Sequence, residues 1–406
     1  MSVSRRRVLA WAAAVACLGA GAPAAGAETA PRVRSDWPQW RDYLSQFVQA
    51  DGRVIDDQHA TRYTTSEGQA YTLFFCLVAN DRSRFDTLLA WTERHLAGGD
   101  LAARLPGWRW GRRDDGSWSL VDANPAADAD LWLAYTLFEA ARLWSEARYA
   151  AIAHALLRRI RELETVDLPG FGWMLLPAPA GFRLGAQTWR FNPSYLAIHQ
   201  LRLFARHDPG GPWLDLAANT VTMLRATAPL GFAPDWVNYS AEAGWHADAA
   251  SPAEGSHDAI RTYLWAGLLH AHDPLRPALL RSLGGMRDWL AAGQPAPPLR
   301  VRTDRGAAAG TGPPGFSAAL LPYLRSFGET RLAQRQMARL RAATVAPSAG
   351  ADAGANAAFS ASADARPNYY DRVLGLFGQG ALEGRFRFDR HGALQAAWHP
   401  ATPSRP

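Results

Sequence analysis

A chain of 406 residues, 48% of them apolar, is long enough to bury a large core. Its formal charge of +6 rests on arginine alone, with no lysine anywhere. Those arginines are scattered, so the clustered basic face of a nucleic-acid binder is missing and no nucleic-acid partner is expected.

The N-terminus reads as an export leader. Arg5-Arg6-Arg7 precede an apolar stretch from Val8 to Ala20, and Ala25-Gly26-Ala27 forms a small-residue cleavage site. The adjacent arginines give it a twin-arginine character, which implies export of a folded protein. Residues 1–27 are therefore expected to be a signal peptide and 28–406 a single domain, periplasmic or secreted. Removing the leader takes away three arginines and no acid, so +6 falls to +3. Lipid attachment at Cys17 is disfavoured by Ala14 three residues before it. No later run suits a bilayer span, so no stable membrane insertion is expected. Past the leader Cys76 is the only cysteine, which leaves no internal disulfide and no Cys/His zinc pattern.

Helical periodicity then recurs along the chain. Asp36–Gln49 is amphipathic, with Trp37, Trp40, Tyr43, Leu44 and Phe47 on one side. Glu67–Asn80 is apolar almost all round from Tyr71 to Val78, the mark of a buried helix. Phe85–Leu96 follows. Arg104–Val121 reads as a loop holding Trp108, Trp110 and an Asp114-Asp115-Gly116 turn. Asp128–Ser145 is a strong helix, and Ala147–Glu164 carries arginines on its outer face. The spacing predicts further helices over Pro193–Phe204, Trp213–Ala228, His257–His270, Pro274–Ala292, Ser317–Leu324, Glu329–Ala343 and Tyr369–Phe377. Strand signals are weak, limited to Gly170–Pro177 and Phe386–Asp389. Pro295–Pro314 and Val345–Arg366 are low in complexity and read as surface loops. Apolar helices alternate with amphipathic ones, which predicts two concentric rings: a helical toroid of roughly six hairpins in one domain.

Three stretches place carboxylates at the mouths of apolar helices. In Thr64-Thr65-Ser66-Glu67-Gly68-Gln69-Ala70-Tyr71, the hydroxyls can cap the helix while Glu67 sits in its first turn. Burial raises a carboxyl pKa, as a general acid requires, whereas the helix dipole lowers it. The plain alternative is a first-turn Glu that complements that dipole. Asn124-Pro125-Ala126-Ala127-Asp128-Ala129-Asp130 is the second stretch, and one of its acids can be a simple cap. Ser256-His257-Asp258-Ala259-Ile260-Arg261 is the third, where Asp258 and Arg261 can also be an ordinary i,i+3 ion pair. The chain has 17 tryptophans. Trp108, Trp110, Trp118, Trp189, Trp236 and Trp245 fall in loop-like stretches, where packing explains some and stacking on pyranose rings suits others. There is no G-x-S-x-G elbow, H-E-x-x-H motif, P-loop or dinucleotide fingerprint.

The three acidic stretches, Trp189-Arg190-Phe191-Asn192-Pro193-Ser194-Tyr195, Gly52-Arg53-Val54-Ile55-Asp56, Pro234-Asp235-Trp236-Val237 and Gly315-Phe316-Ser317-Ala318-Ala319 together resemble glycoside hydrolase family 8. The likeness is greatest to its periplasmic members from bacterial cellulose-synthase operons, and it runs over essentially the whole mature chain. It implies an all-α (α/α)6 barrel and an inverting endo-β-1,4-glucanase. It implies Glu67 as general acid, Asp258 as general base, Asp128 as the residue that binds and distorts the sugar, and Tyr195 and Arg261 as supports for the water and the base. Trp108 and Trp189 are the implied stacking platforms, and no metal or organic cofactor is required. Two positions depart from the pattern: Thr72 stands where a small residue is expected, and His257 where a Tyr is usual.

The expected partner is a β-1,4-glucan chain, with the cellulose synthase complex as a further partner and a monomer as the expected state. The leading expectation is an exported endoglucanase that trims nascent cellulose. The same scaffold acting on xylan, mixed-linkage glucan or chitosan stays open, as does a non-catalytic glucan-binding factor. A helical-toroid lyase fits poorly, because the acidic motifs would repel a uronate.

Overall fold

The computed structural model describes residues 36–57, 61–248, 250–251, 253–345 and 367–399. The expected leader at 1–27 and, from residue 346 on, the expected Val345–Arg366 loop lie outside them.

Among the described residues the helices are α1 Pro38–Phe47, α2 Ser66–Val78, α3 Arg82–Leu96, α4 Ala127–Trp144, α5 Ala147–Glu164, α6 Ile198–His207, α7 Trp213–Thr227, α8 Ala259–Leu268, α9 Arg276–Ser282, α10 Gly284–Ala291, α11 Pro314–Ser326, α12 Thr330–Val345 and α13 Tyr369–Leu382. Six of them form an inner ring in the order α2, α4, α6, α8, α11, α13. The ring closes where Tyr71, Phe74 and Phe75 of α2 meet Phe377 of α13. Each inner helix backs onto an outer one: α2 on α3, α4 on α5, α6 on α7, α8 on α9, α11 on α12 and α13 on α1. This is an (α/α)6 barrel. Every residue of α2 except Glu67 is buried, whereas the outer α5 buries only one stripe.

Aromatic side chains fill the middle of the ring. Trp132 packs against Phe74, Trp265, Phe377 and His199. Where two inner helices come closest, glycine is required. A Cβ on Gly378 would lie 1.8 Å from the Ala318 carbonyl oxygen of α11. Gly378→Ala must therefore push α13 off α11, and a loss of about 3 kcal/mol in urea unfolding is expected, the upper end for overpacking. An unchanged midpoint would mean the two helices separate without cost.

The inner helices run parallel, and the two kinds of connection differ. Inner-to-outer turns are short, such as Ala79–Asp81 and Ser145–Glu146. Outer-to-inner connections are long and carry nearly all the strands. They hold a three-stranded sheet of β1 Thr64–Thr65, β2 Arg109–Arg112 and β3 Trp118–Asp122. They also hold the hairpin β4 Thr165–Leu168 and β5 Gly172–Leu175, and the four-stranded sheet β6 Arg183–Gly185, β7 Thr188–Phe191, β8 Val237–Ser240 and β9 Gly244–Ala247. The last of them is β10 Glu254–Gly255, β11 Pro298–Arg302 and β12 Ala308–Thr311. These sheets gather at the N-terminal rim of the inner ring.

The opposite end is plugged by the hairpin β13 Phe386–Phe388 and β14 Leu394–Ala396. Phe388 stacks on His199 at 3.9 Å, Tyr135 donates to the Gly392 carbonyl at 2.8 Å, and Glu139 accepts from the Leu394 N–H at 2.6 Å. The hairpin thus closes the barrel axis at the end opposite the rim that carries the strands.

Strand content exceeds the sequence expectation. The Arg104–Val121 loop is a β-ribbon, Pro295–Pro314 contains β11 and β12, and the single helix expected over Pro274–Ala292 breaks at Leu283 into α9 and α10. The two hairpin edges expected near Gly170–Pro177 and Phe386–Asp389 are present.

Candidate active site

Glu67, Asp128 and Asp258 stand at the N-terminal ends of α2, α4 and α8, three members of the inner ring, and so share one rim. Thr65 caps α2, its hydroxyl accepting from the Gly68 N–H at 3.2 Å. The Ser66 N–H donates to the Trp108 carbonyl at 2.8 Å, which ties the start of α2 to the ribbon. That tie sets Trp108 beside the acid, and its indole N–H donates to Glu67 Oε1 at 3.2 Å. Glu67 is walled in by protein with an open edge to the rim. Burial first, and the nearby Asp128 second, push its pKa from 4.5 up to about 8. It is therefore protonated at neutral pH.

Asp128 is 2% exposed. It does not cap α4, whose N-cap position is Ala126. Instead Oδ1 accepts from the Ala129 N–H at 2.8 Å and Oδ2 lies 3.2 Å from Arg261 Nη1. Burial raises its pKa to about 6 while Arg261 opposes the rise. Asp258 is the most open of the three, its side chain 33% exposed. It accepts from Arg261 Nη2 at 2.9 Å, the i,i+3 contact expected from the spacing.

Arg261 is the hub. Its buried guanidinium reaches Asp128 and Asp258, donates to Ser194 Oγ at 2.8 Å, and lies 5.5 Å from the centre of the Tyr195 ring. A planar fork with five donors can hold these partners at once, which the point charge of a lysine cannot. Tyr195 is half-buried and edges onto Trp236. Burial, then Asp128, hold its hydroxyl well above the usual phenol range, so it stays protonated.

The two tryptophans are placed differently. Trp108 is half-buried at the rim beside Glu67. Trp189 is 3% exposed, in a central strand of the four-stranded sheet, against Tyr239 and beneath Arg183. Its indole has almost no open face, so in this structure it walls the sheet and offers no platform. Of the two departures, Thr72 is enclosed in α2, donating to the Gly68 carbonyl at 2.7 Å and bonding the Tyr43 hydroxyl at 2.6 Å. His257 packs its ring edge-on to Phe316, and its carbonyl accepts from the Tyr370 hydroxyl at 2.7 Å.

Several neighbours lie outside the residues expected from sequence. Ser194 adjoins Tyr195, but its bond to Arg261 depends on tertiary packing. Asp235 accepts from the Ser256 and Ala259 N–H groups on either side of Asp258. Behind Asp128, Asp130 and Glu164 are fully buried beside each other. Burial first, and the neighbouring Glu164 charge second, keep Asp130 well above its usual range.

The rim thus offers a protonated carboxyl, a more open carboxylate held by arginine, and a buried carboxylate between them. That set can donate a proton on one side of a bound group and accept one on the other.

Known proteins share this arrangement of sequence and fold. An endoglucanase of Xanthomonas axonopodis pv. citri (strain 306) is 45% identical over 396 residues, covering 98% of each chain. An endoglucanase of Escherichia coli (strain K12) is 42% identical over 362 residues, covering 89% of this chain and 91% of its own. The crystal structure of endo-1,4-D-glucanase from Vibrio fischeri ES114 superposes with a TM-score of 0.77 at 35% identity, over 89% of this chain and 99% of that one. The family profile of Glycosyl hydrolases family 8 matches residues 13–384. With that match, and with its acids set around the open rim of an (α/α)6 barrel, the chain belongs to glycosyl hydrolase family 8.

Proposed function

We propose that this protein is an endo-β-1,4-glucanase that cleaves with inversion, with Glu67 as general acid and Asp258 as general base. The observation that carries the reading is the contrast between them: Glu67 is held protonated by burial beside Asp128, while Asp258 is open to the rim and held by Arg261. The names of the relatives support the substrate class.

In this reading a glucan chain lies across the rim with Trp108 beneath one ring. Glu67 gives its proton to the glycosidic oxygen as the bond to the anomeric carbon breaks. A water attacks that carbon from the opposite face and loses its proton to Asp258. Inversion needs room for that water between acid and base. Asp128, anionic and buried, hydrogen-bonds the sugar at the cleavage point and favours the positive charge that develops on its ring. The Tyr195 hydroxyl, still protonated, can donate to the water while Arg261 fixes the base. The leader read at residues 1–27 supports export to the periplasm. The likeness to members from cellulose-synthase operons supports a monomer that trims nascent cellulose beside the synthase complex.

The test is viscosity loss and reducing-sugar release on carboxymethylcellulose, with proton NMR of the first anomer released. Wild type should drop viscosity quickly and release the α-anomer. Asp258→Asn should lose about 10²- to 10⁴-fold in rate, the usual worth of a general base. Wild-type rates in Asp258→Asn, or cleavage of xylan, mixed-linkage glucan or chitosan in place of the β-1,4-glucan, would overturn the assignment.

A further inference from the structure

A helix N-terminus normally takes its cap from the residue at its own N-cap position. At α8 that residue is Asp258, with φ −75° and ψ −51°, yet its side chain makes no cap bond. The cap comes from elsewhere. Asp235, in the loop before β8, accepts through Oδ1 from the Ser256 N–H at 2.8 Å and from the Ala259 N–H at 2.7 Å. These donors lie two residues before Asp258 and one after it. Asp235 is itself anchored, because its N–H donates to the Glu254 carbonyl at 2.8 Å, within the segment that pairs with β11. Ser256 Oγ donates to the Leu299 carbonyl at 2.8 Å, and Tyr370 donates to the His257 carbonyl at 2.7 Å. The segment carrying Asp258 is thus gripped on both sides, and Asp235 grips it by two of its N–H groups.

We infer that Asp235 is a positioning residue for the base: by capping α8 in place of Asp258, it leaves the Asp258 carboxylate free to face the rim. The inference rests on the reading of Asp258 as general base. Its physical content is a competition. The two N–H groups are strong donors at the positive end of a helix. If Asp235 is truncated they are left without that acceptor, and the Asp258 carboxylate can turn back to the adjacent Ala259 N–H, as Asp128 does with that of Ala129. A base drawn back to cap its own helix is displaced from the attacking water, and displacements of about 1 Å cost on the order of 10²-fold in rate. The acid side is untouched, because Glu67 and Trp108 belong to α2 and the ribbon.

The test is steady-state kinetics of wild type, Asp235→Ala, Asp235→Asn, Asp258→Asn and Glu67→Gln on a cello-oligosaccharide and on its 2,4-dinitrophenyl glycoside. Asp235→Ala should lose about 10- to 100-fold in kcat with KM within about twofold on the same ground, since no glucan contact is removed. Asp235→Asn keeps an acceptor oxygen and should recover most of that loss. The dinitrophenolate leaving group needs no proton, so it should restore Glu67→Gln but leave the Asp235→Ala deficit in place. A residue that acted through the acid would be restored by that substrate as Glu67→Gln is, and one that merely held the fold together would disturb KM along with kcat. If Asp235→Ala does not fold, Asp235→Ser carries the same comparison, its shorter side chain being unable to reach both donors. Wild-type kcat in Asp235→Ala, a deficit in Asp235→Asn as large as in Asp235→Ala, or repair of Asp235→Ala by the dinitrophenyl substrate would each overturn the inference. An Asp258→Asn variant with wild-type kcat would remove the base assignment itself. Wild-type kcat in Asp235→Ala beside an inactive Asp258→Asn would remove this inference alone.

Discussion

Glu67→Gln is expected to lower kcat on β-1,4-glucan by about 10³-fold, within the range for loss of a general acid, and to make the protein more stable at alkaline pH. The substitution is isosteric, and the amide oxygen can still accept from the Trp108 indole N–H, so the site keeps its shape. What it loses is the proton. Wild-type kcat should fall as pH rises through about 8, where the Glu67 carboxyl titrates, and that limb should vanish in the variant. The stability effect has a definite sign. The pKa of Glu67 is near 8 in the folded chain against an ordinary value of 4.5. Between those values the folded state holds more protons than the unfolded one, so stability falls as pH rises across that window. Glutamine does not titrate, so its advantage over wild type should be small at pH 4 and largest at pH 8 and above. Urea unfolding at both pH values decides this. An equal difference at the two would mean that Glu67 is not held protonated by its surroundings.

Arg261→Met is expected to cost about 3–5 kcal/mol of stability, the range for removing one partner of a buried ion pair, together with nearly all activity. Methionine fills much of the volume but leaves Asp128, 2% exposed, as a buried anion without its counter-charge. It also frees Asp258 from the contact at 2.9 Å. Adding Asp128→Asn should return a large part of the stability, because the stranded charge is gone, and none of the rate. Arg261→Lys keeps the charge but cannot reach Ser194, Asp128 and Asp258 together, so it should hold more stability than methionine while remaining well below wild type in kcat. If Arg261→Met unfolds at the wild-type urea concentration, the ion pair is not what holds the rim together.

How much of this the sequence discloses depends on range. Helices α2 and α4 are legible because nearly all their positions are apolar over three turns or more, and such runs have one stable outcome in a core. Carboxylates opening those helices stand out for the same reason, since each is a polar residue where burial begins. The ribbon β2–β3 is not legible. Its residues run half-exposed without clean alternation, a bulge shifts the register at Arg109 and Trp110, and the Asp114-Asp115-Gly116 turn reads as loop. β11 is hidden in a Pro-rich stretch for a similar reason. The break between α9 and α10 is marked by Gly284-Gly285, a signal that the surrounding apolar residues obscure. Trp189 shows the limit for side chains. An indole in a loop-like stretch suits a stacking platform until its register partner, Tyr239, 50 residues on, places it in a central strand where it is buried. Asp235 and Ser194 take their roles from segments distant in sequence, so nothing local distinguishes them from a turn acid or a loop hydroxyl.

The pairing of α13 with α1 has a consequence in time. The earliest described helix backs onto the latest, and Tyr43 and Phe47 both rest on Tyr369. Phe47 and Tyr369 are 322 residues apart in the chain. At synthesis rates of about 5–20 residues per second, that separation is roughly 15–65 seconds. For that interval the part of the aromatic face that rests on Tyr369 stays uncovered, while Trp40 and Tyr43 can already pack on Phe75 and Thr72 of α2.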